Sequence, residues 1–257
     1  GRSANSRNRV FELTDDVLYT KPFDPAKVED PSLIIYAAVR RFENRLIVTN
    51  GDQTDTVFEG LKQGKSFSQS LASHRFEPDA PNLTPRISGM LTFEDGGFSY
   101  EMSILKSADA DGTACNRFTF SYSPINGVGH FIHTYNCDGN PLPTFTGEPE
   151  RVCIPDSVDE FAELLWDALD SENKISLFVR YTDLESGREE TRIINLLRLL
   201  SEFRFPKSSD APALSMIRMR FLRLPAHMQG REALTVCVPS ATGLRYPMSA
   251  TCLPLCC

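Results

Sequence analysis

The stretch that most constrains this chain is Ile87–Leu105. Two runs of strand-type residues, Ile87–Phe93 and Phe98–Leu105, are separated only by Glu94-Asp95-Gly96-Gly97. Asp-Gly between two such runs signals a tight hairpin, because glycine accepts the positive φ that these turns need. A linker this short cannot cross over a sheet, so the two strands must pair antiparallel. The pattern recurs along the chain. Val10–Leu13 and Val17–Lys21 flank Asp15-Asp16, and Leu33–Val39 and Leu46–Thr49 flank Glu43-Asn44. Arg117–Tyr122 and His130–Tyr135, around Pro124–Gly129, are predicted to extend the hairpin into a meander, and Ile175–Thr182 and Glu190–Ile194 form a further hairpin over Leu184–Gly187.

Helices interrupt these strands as blocks. Val57, Leu61 and the stop at Gly64 predict a short helix capped near Thr54 or Asp55. Ser66-Phe67-Ser68-Gln69 has capping-box spacing and opens a second helix to about His74. Ser157-Val158-Asp159-Glu160 opens a third, with Val158, Phe161, Leu164, Leu165 and Leu169 at helical spacing. Strand runs with helices inserted between them predict an α+β fold rather than a doubly wound parallel sheet.

Charge narrows the function. The net charge is −7, yet after Asn195 eight basic residues stand against three acids. An acidic body lacks the basic face that nucleic-acid backbones require, so no nucleic-acid partner is expected. A mononucleotide needs only a few placed arginines. The longest apolar run, around Leu33–Val39, is far short of a membrane span, and no membrane association is expected. The start of the sequence carries no basic stretch followed by an apolar run, so no signal peptide is expected. Seven cysteines, an odd number without a CxxC pair, predict reduced thiols in a cytoplasmic protein, with no disulfide framework or structural zinc site. Residues 196–257 carry six of the 17 prolines, four cysteines and no sustained period, and read as a tail of unknown role behind a domain of residues 1–195.

Three clusters hold more functional residue types than a scaffold needs. Arg2-Ser3-Ala4-Asn5-Ser6-Arg7-Asn8-Arg9 puts three arginines just before a strand. Tyr36 stands in the first apolar strand, ahead of Asn50-Gly51-Asp52-Gln53-Thr54-Asp55-Thr56 at a helix start, where free N–H groups favour anions. Glu77 to Arg86 is a proline-stiffened loop, which holds side chains at little entropic cost. Each has a plain alternative when read alone: a solvated terminus, a turn with its N-cap, a surface loop. His130 and His133, three apart in a strand, point to opposite faces and are no shared ligand pair. Nothing in the sequence calls for a metal or a cofactor.

Together the clusters resemble the archaeal-type IMP cyclohydrolase family, which also has bacterial members. The resemblance rests on Arg2-Ser3 through Arg7, Asp30-Pro31 through Tyr36, Asn50-Gly51 with Thr54-Asp55-Thr56, and Asn82 with Thr84-Pro85-Arg86, over residues 1–195. It implies a four-layer αββα sandwich like that of the N-terminal-nucleophile hydrolases, used without an N-terminal nucleophile. It also implies closure of 5-formamidoimidazole-4-carboxamide ribonucleotide (FAICAR) to IMP with loss of water, by a cytoplasmic homo-oligomer whose partner is this purine nucleotide. The family's catalytic residues fall on Arg7, Tyr36 and Glu77. Arg86 and the turn from Asn50 and Gly51 through Thr54 to Asp55 are similar to elements that shape the nucleotide site; the 5′-phosphate is expected on Arg9 or Arg86 together with backbone N–H groups of the Asn50–Gly51 turn. Family members carry a further strand-like segment ahead of the Arg-Ser pair, which is expected to be missing here, and nothing after Asn195 resembles the family. Two other functions use the same residues. An amidohydrolase on this scaffold wants a terminal Cys, Ser or Thr, which Gly1 is not, and a non-catalytic protein would bind the purine nucleotide without turnover.

Overall fold

Seven strands form one antiparallel sheet in which spatial order equals chain order: β1 (Arg9–Thr14), β2 (Val17–Pro22), β3 (Tyr36–Phe42), β4 (Arg45–Thr49), β5 (Arg86–Glu94), β6 (Gly97–Ser107) and β7 (Cys115–Tyr122). The computed structural model describes residues 4–28, 31, 35–204 and 233–236. Glu94 pairs with Gly97, so Asp95-Gly96 is a two-residue turn, with Gly96 at φ 73. Asp15 and Asp16 (φ 49 and 63) close β1 onto β2 with both central residues at positive φ, the geometry matched to strand twist, whereas in the Asp95-Gly96 turn only Gly96 takes a positive φ.

The strand expected at Leu33–Val39 is displaced: β3 starts at Tyr36 and continues through Arg40, Arg41 and Phe42, while residues 33 and 34 lie outside the described residues. The two arginines do not end the strand because each finds a partner on its own face. Arg40 pairs with Asp55 at 2.6 Å and lies over the Phe58 ring, while Arg41 pairs with Glu189.

Between β4 and β5 come α2 (Gln53–Lys62), α3 (Phe67–Ser70) and a 3-10 turn (Leu71–Ser73). A helix of four residues, α1 (Ala4–Arg7), precedes β1. Ser66 and Gln69 form the expected capping box, and the turn ends at His74. The apolar stripe Val57, Leu61, Phe67 and Leu71 packs on Ile47 and Met90, covering one face of the large sheet.

The meander stops at β7. The next strand, β8 (Val128–His133), does not extend it, contrary to the sequence-based expectation. It pairs instead with β9 (Glu150–Cys153) and, through β12 (Ala233–Val236), with the distal chain. The cause is what β8 turns toward the large sheet. Ile132 is fully buried in its core, and the His130 ring stacks on Tyr122 at 3.7 Å. Those contacts need β8 over the sheet rather than beside it. Phe178 of β10 (Ser176–Thr182) and Ile193 of β11 (Glu189–Asn195) pack against the same core. Full burial of a side chain such as Ile132 is worth about 1.5–3 kcal/mol. A third apolar cluster joins Val158, Phe161 and Ala162 of α4 (Val158–Ala168) to Val179 and Tyr181 of β10. Helix α5 (Leu196–Arg204) follows β11 directly, in a stretch where the sequence shows no sustained period. The fold is thus mixed α+β with mainly antiparallel sheets.

A meander of this order has one consequence for function. The starts of β1, β3 and β5 and the ends of β2, β4 and β6 all lie at the same end of the sheet. Neighbouring strands are about 4.8 Å apart. Arg9, Tyr36, Asn50 and Arg86, distant in sequence, therefore lie along one end of the sheet.

Candidate active site

Glu77 enters that end of the sheet from the loop before β5. The loop is closed at its base, where Glu77 N donates to Thr84 O at 2.8 Å. Inside it, Asp79 Oδ1 accepts from Thr84 N (2.7 Å) and Asp79 Oδ2 accepts from Thr84 Oγ1. Thr84 Oγ1 also meets the Tyr135 hydroxyl, and Leu142 N donates to Asn82 Oδ1 at 3.1 Å. Burial pushes the Glu77 carboxyl up from its ordinary 4.5 to about 7. Arg86 and Arg9 work against that rise, and the carboxylates of Asp79 and Asp52 add to it. A carboxyl in this balance exchanges its proton near neutral pH.

Arg86 is nearly buried at the start of β5. Its Nη1 donates to Gln53 Oε1 at 2.8 Å and pairs with the Asp52 carboxylate. The side chain lies so close to the chain that a Cβ on Gly51 would sit 2.6 Å from Arg86 Nη1 and from Gln53 Oε1. A side chain at Gly51 would thus displace the ends of these two buried side chains, a constraint of close approach rather than of φ. Asp52 stands at the N-cap of α2 but makes no capping bond with its side chain, which Arg86 has taken.

Asn50 and Thr54 hold this turn in place. Asn50 Oδ1 accepts from Ile87 N and Gln53 Nε2, both at 2.9 Å, and its Nδ2 donates to Pro85 O. Buried Thr54 shares a 2.7 Å hydrogen bond with Thr49 Oγ1. The N–H groups of Asn50 and Gly51 are also occupied, by Ile87 O and Thr49 Oγ1. Asp55 is not brought to Arg86. It is exposed and paired with Arg40, along a cavity of about 510 Å³ between α2 and α3.

Arg9, half-buried, donates from Nε to Ser6 O at 3.1 Å and acts on Glu77. Arg7, at the end of α1, is exposed and donates to Asn173 Oδ1 at 3.2 Å. Tyr36 opens β3, with its backbone N–H and C=O both bonded to Thr20 Oγ1 and its ring against the core between the sheets. Arg2, Ser3 and Asp30, which carry part of the resemblance, lie outside the described residues.

Sequence reasoning misses several members of this neighbourhood. Asp52 and Asp79 sit inside the clusters it picks out, with nothing to mark them from adjacent acids. His74 bonds Thr56 Oγ1 through Nε2 at 2.7 Å, and burial holds its imidazole below the ordinary value, with Asp52 opposing and Arg86 adding to that fall. Lys106, at the end of β6, donates to Phe145 O at 2.6 Å, and burial lowers it. Tyr135 has no local signal at all; only its meeting with Thr84, 51 positions away, gives it a place. The two histidines of β8 are engaged elsewhere: His130 Nδ1 with Tyr100 OH at 2.6 Å, His133 with Tyr135 O and Glu150. Among the described residues no group of three or more His, Cys, Asp or Glu could hold a metal ion, and no helix is long and apolar enough to cross a membrane. Among the same residues, Cys115, Cys137 and Cys153 are not joined in disulfides.

A carboxyl that burial raises to about 7, in the field of two guanidinium groups, is the equipment of an acid–base site for an anionic ligand. Known proteins specify the class further. A model of the IMP cyclohydrolase-like protein family matches residues 1–187. This chain belongs to that family. It is 29% identical over 89 residues to the IMP cyclohydrolase of Methanothrix thermoacetophila, a match covering 33% of this chain and 44% of that protein. To the IMP cyclohydrolase of Methanopyrus kandleri it is 31% identical over 89 residues, covering 34% and 45%. The chain thus spans less than half the length of either relative in these matches.

Proposed function

We propose that this protein closes FAICAR to IMP, on a four-layer αββα scaffold of the N-terminal-nucleophile type and as a homo-oligomer. The observation that carries the proposal is the Glu77 carboxyl, poised near pH 7 beside Arg9 and Arg86, in a chain of the IMP cyclohydrolase-like family. The layering is supported by the three apolar clusters, which stack α2 and α3, the large sheet, the smaller sheets and α4.

The chemistry suits these groups. The carboxamide nitrogen attacks the formyl carbon of the same molecule, and holding the two together can supply roughly 7–11 kcal/mol of the barrier. The nitrogen loses one proton and the formyl oxygen gains one, giving a cyclic carbinolamine. The hydroxyl then leaves with a second proton as water while the former formamido nitrogen gives up its hydrogen, and the C=N bond forms. In the first step Glu77 takes the proton from the attacking nitrogen and passes it to the former formyl oxygen; in the second it takes the hydrogen of the former formamido nitrogen and delivers it to the leaving hydroxyl, a two-way transfer suited to a carboxyl with pKa near 7. Arg7 and the Tyr36 hydroxyl donate to the formyl oxygen as charge develops on it. The 5′-phosphate is assigned to the side chains of Arg9 and Arg86, whose guanidinium forks suit it, while the Asn50 and Gly51 N–H groups stay bonded within the turn.

The test is a spectrophotometric assay of FAICAR conversion by the purified chain, together with IMP binding by calorimetry. Turnover is expected. Tight IMP binding without turnover would make the protein a nucleotide-binding one and overturn the proposal.

A further inference from the structure

The loop that carries Glu77 is held more firmly than a surface loop of its length needs. Its base is closed by the Glu77 N to Thr84 O bond, and Asp79 accepts twice from Thr84. The Thr84 hydroxyl is shared with Tyr135, which comes from just beyond β8, and Asn82 takes the N–H of Leu142. Between them Leu83 is buried at φ 47, a conformation unusual for leucine and sustained only when surrounding contacts over-determine it. Two attachments, through Asn82 and Thr84, thus tie the loop to the segment between β8 and β9.

We propose that Asp79 is a positioning residue for Glu77, clamped by Thr84 and moored by Tyr135 to the segment after β8. This rests on the reading of Glu77 as the proton shuttle. Asp79 does not need to touch substrate. It fixes the loop through Thr84, and its carboxylate is one of the charges that set when Glu77 gives up its proton. The other charged groups acting on Glu77 are Arg86 from β5, Arg9 from β1 and Asp52 from the start of α2; His74 lies in the field of the last and of Arg86. Thr84 and Tyr135 contribute no charge there, which separates the mechanical part of the clamp from its electrostatic part.

The test follows the Glu77 carboxyl by ¹³C NMR in the full chain labelled at glutamate Cδ, with Glu77→Gln identifying its signal. Asp79→Asn is expected to move the Glu77 midpoint to lower pH and to lower kcat by about 10-fold through misplacement. An unmoved midpoint overturns the proposal. Should Asp79→Asn fail to fold, Thr84→Val removes the hydroxyl of the clamp and leaves every carboxylate. It is expected to lower kcat several-fold with KM little changed and the Glu77 midpoint still raised, and wild-type kcat in this variant overturns the proposal as well. If the midpoint moves as expected while Glu77→Gln retains wild-type turnover, the clamp stands and the catalytic role of Glu77 falls.

Discussion

Glu77→Gln should make the protein more stable at neutral pH while making it a poor catalyst. In the folded chain the carboxyl is raised from 4.5 to about 7, so the folded state binds this proton more tightly than the unfolded state does. A raised carboxyl contributes stability that is fully present below the unfolded value near 4.5 and is lost as pH rises through the folded value near 7. At 1.36 kcal/mol per pH unit, the loss by pH 7 and above is about 3 kcal/mol. Glutamine has nearly the same size and cannot ionise, so the variant escapes it. Urea unfolding of both proteins at about pH 5, 6, 7 and 8 reads this directly. Their difference should widen in favour of the glutamine variant by about 2 kcal/mol between pH 5 and 7 and then level off. A constant offset from packing is irrelevant, because the slope carries the information. In the same preparations kcat should drop by about 100-fold or more with IMP affinity unchanged. Parallel stability curves across this range would refute the raised carboxyl, and a near-normal rate would remove Glu77 from the mechanism.

Other substitutions probe other parts of the site. Gly51→Ala forces a methyl group onto Arg86 Nη1 and Gln53 Oε1; we expect a loss of about 1–3 kcal/mol in unfolding experiments and a raised KM for FAICAR. Arg7→Gln and Tyr36→Phe should each lower kcat by about 100-fold, as loss of one oxyanion donor does, and kcat values within a factor of about two of wild type would exclude a shared donor role. Ending the chain after Arg204 removes β12 from the edge of β8, so thermal scans should show Tm lower by a few degrees with turnover per folded molecule retained. Lost turnover at an intact Tm would show that the distal segment serves the site.

Local chemistry makes most of the hairpins legible in the sequence. Asp95-Gly96 and Asp15-Asp16 carry their turn geometry in their own residue types, and Ser66 with Gln69 announces a helix start. The ends of elements are less legible where a partner is distant. Arg40 and Arg41 look like the end of a strand until Asp55, Phe58 and Glu189 are brought beside them. Nor does anything near His130 say that its ring will stack on Tyr122, the contact that carries β8 over the large sheet and out of the meander. The site shows the same division. Glu77, Arg86 and Gly51 stand out by type and loop context. The link from Asp79 through Thr84 to Tyr135 depends on two segments meeting across the fold, which no spacing rule encodes.

The order of the large sheet also bears on how the molecule folds and how its site can change. Every strand from β1 to β7 pairs with its neighbour in sequence, so most of the sheet forms through contacts of low sequence separation, the kind that nucleate early. The longest connection in the series runs from Thr49 to Arg86, and it carries α2, α3 and Glu77. Closing a longer loop costs little, about 0.6 kcal/mol for each doubling. Residues could therefore be gained or lost in the exposed turn from Gln63 to Lys65, between α2 and α3, without unpairing β4 from β5. The segment that shapes the site is also the one whose length this architecture leaves most open to change.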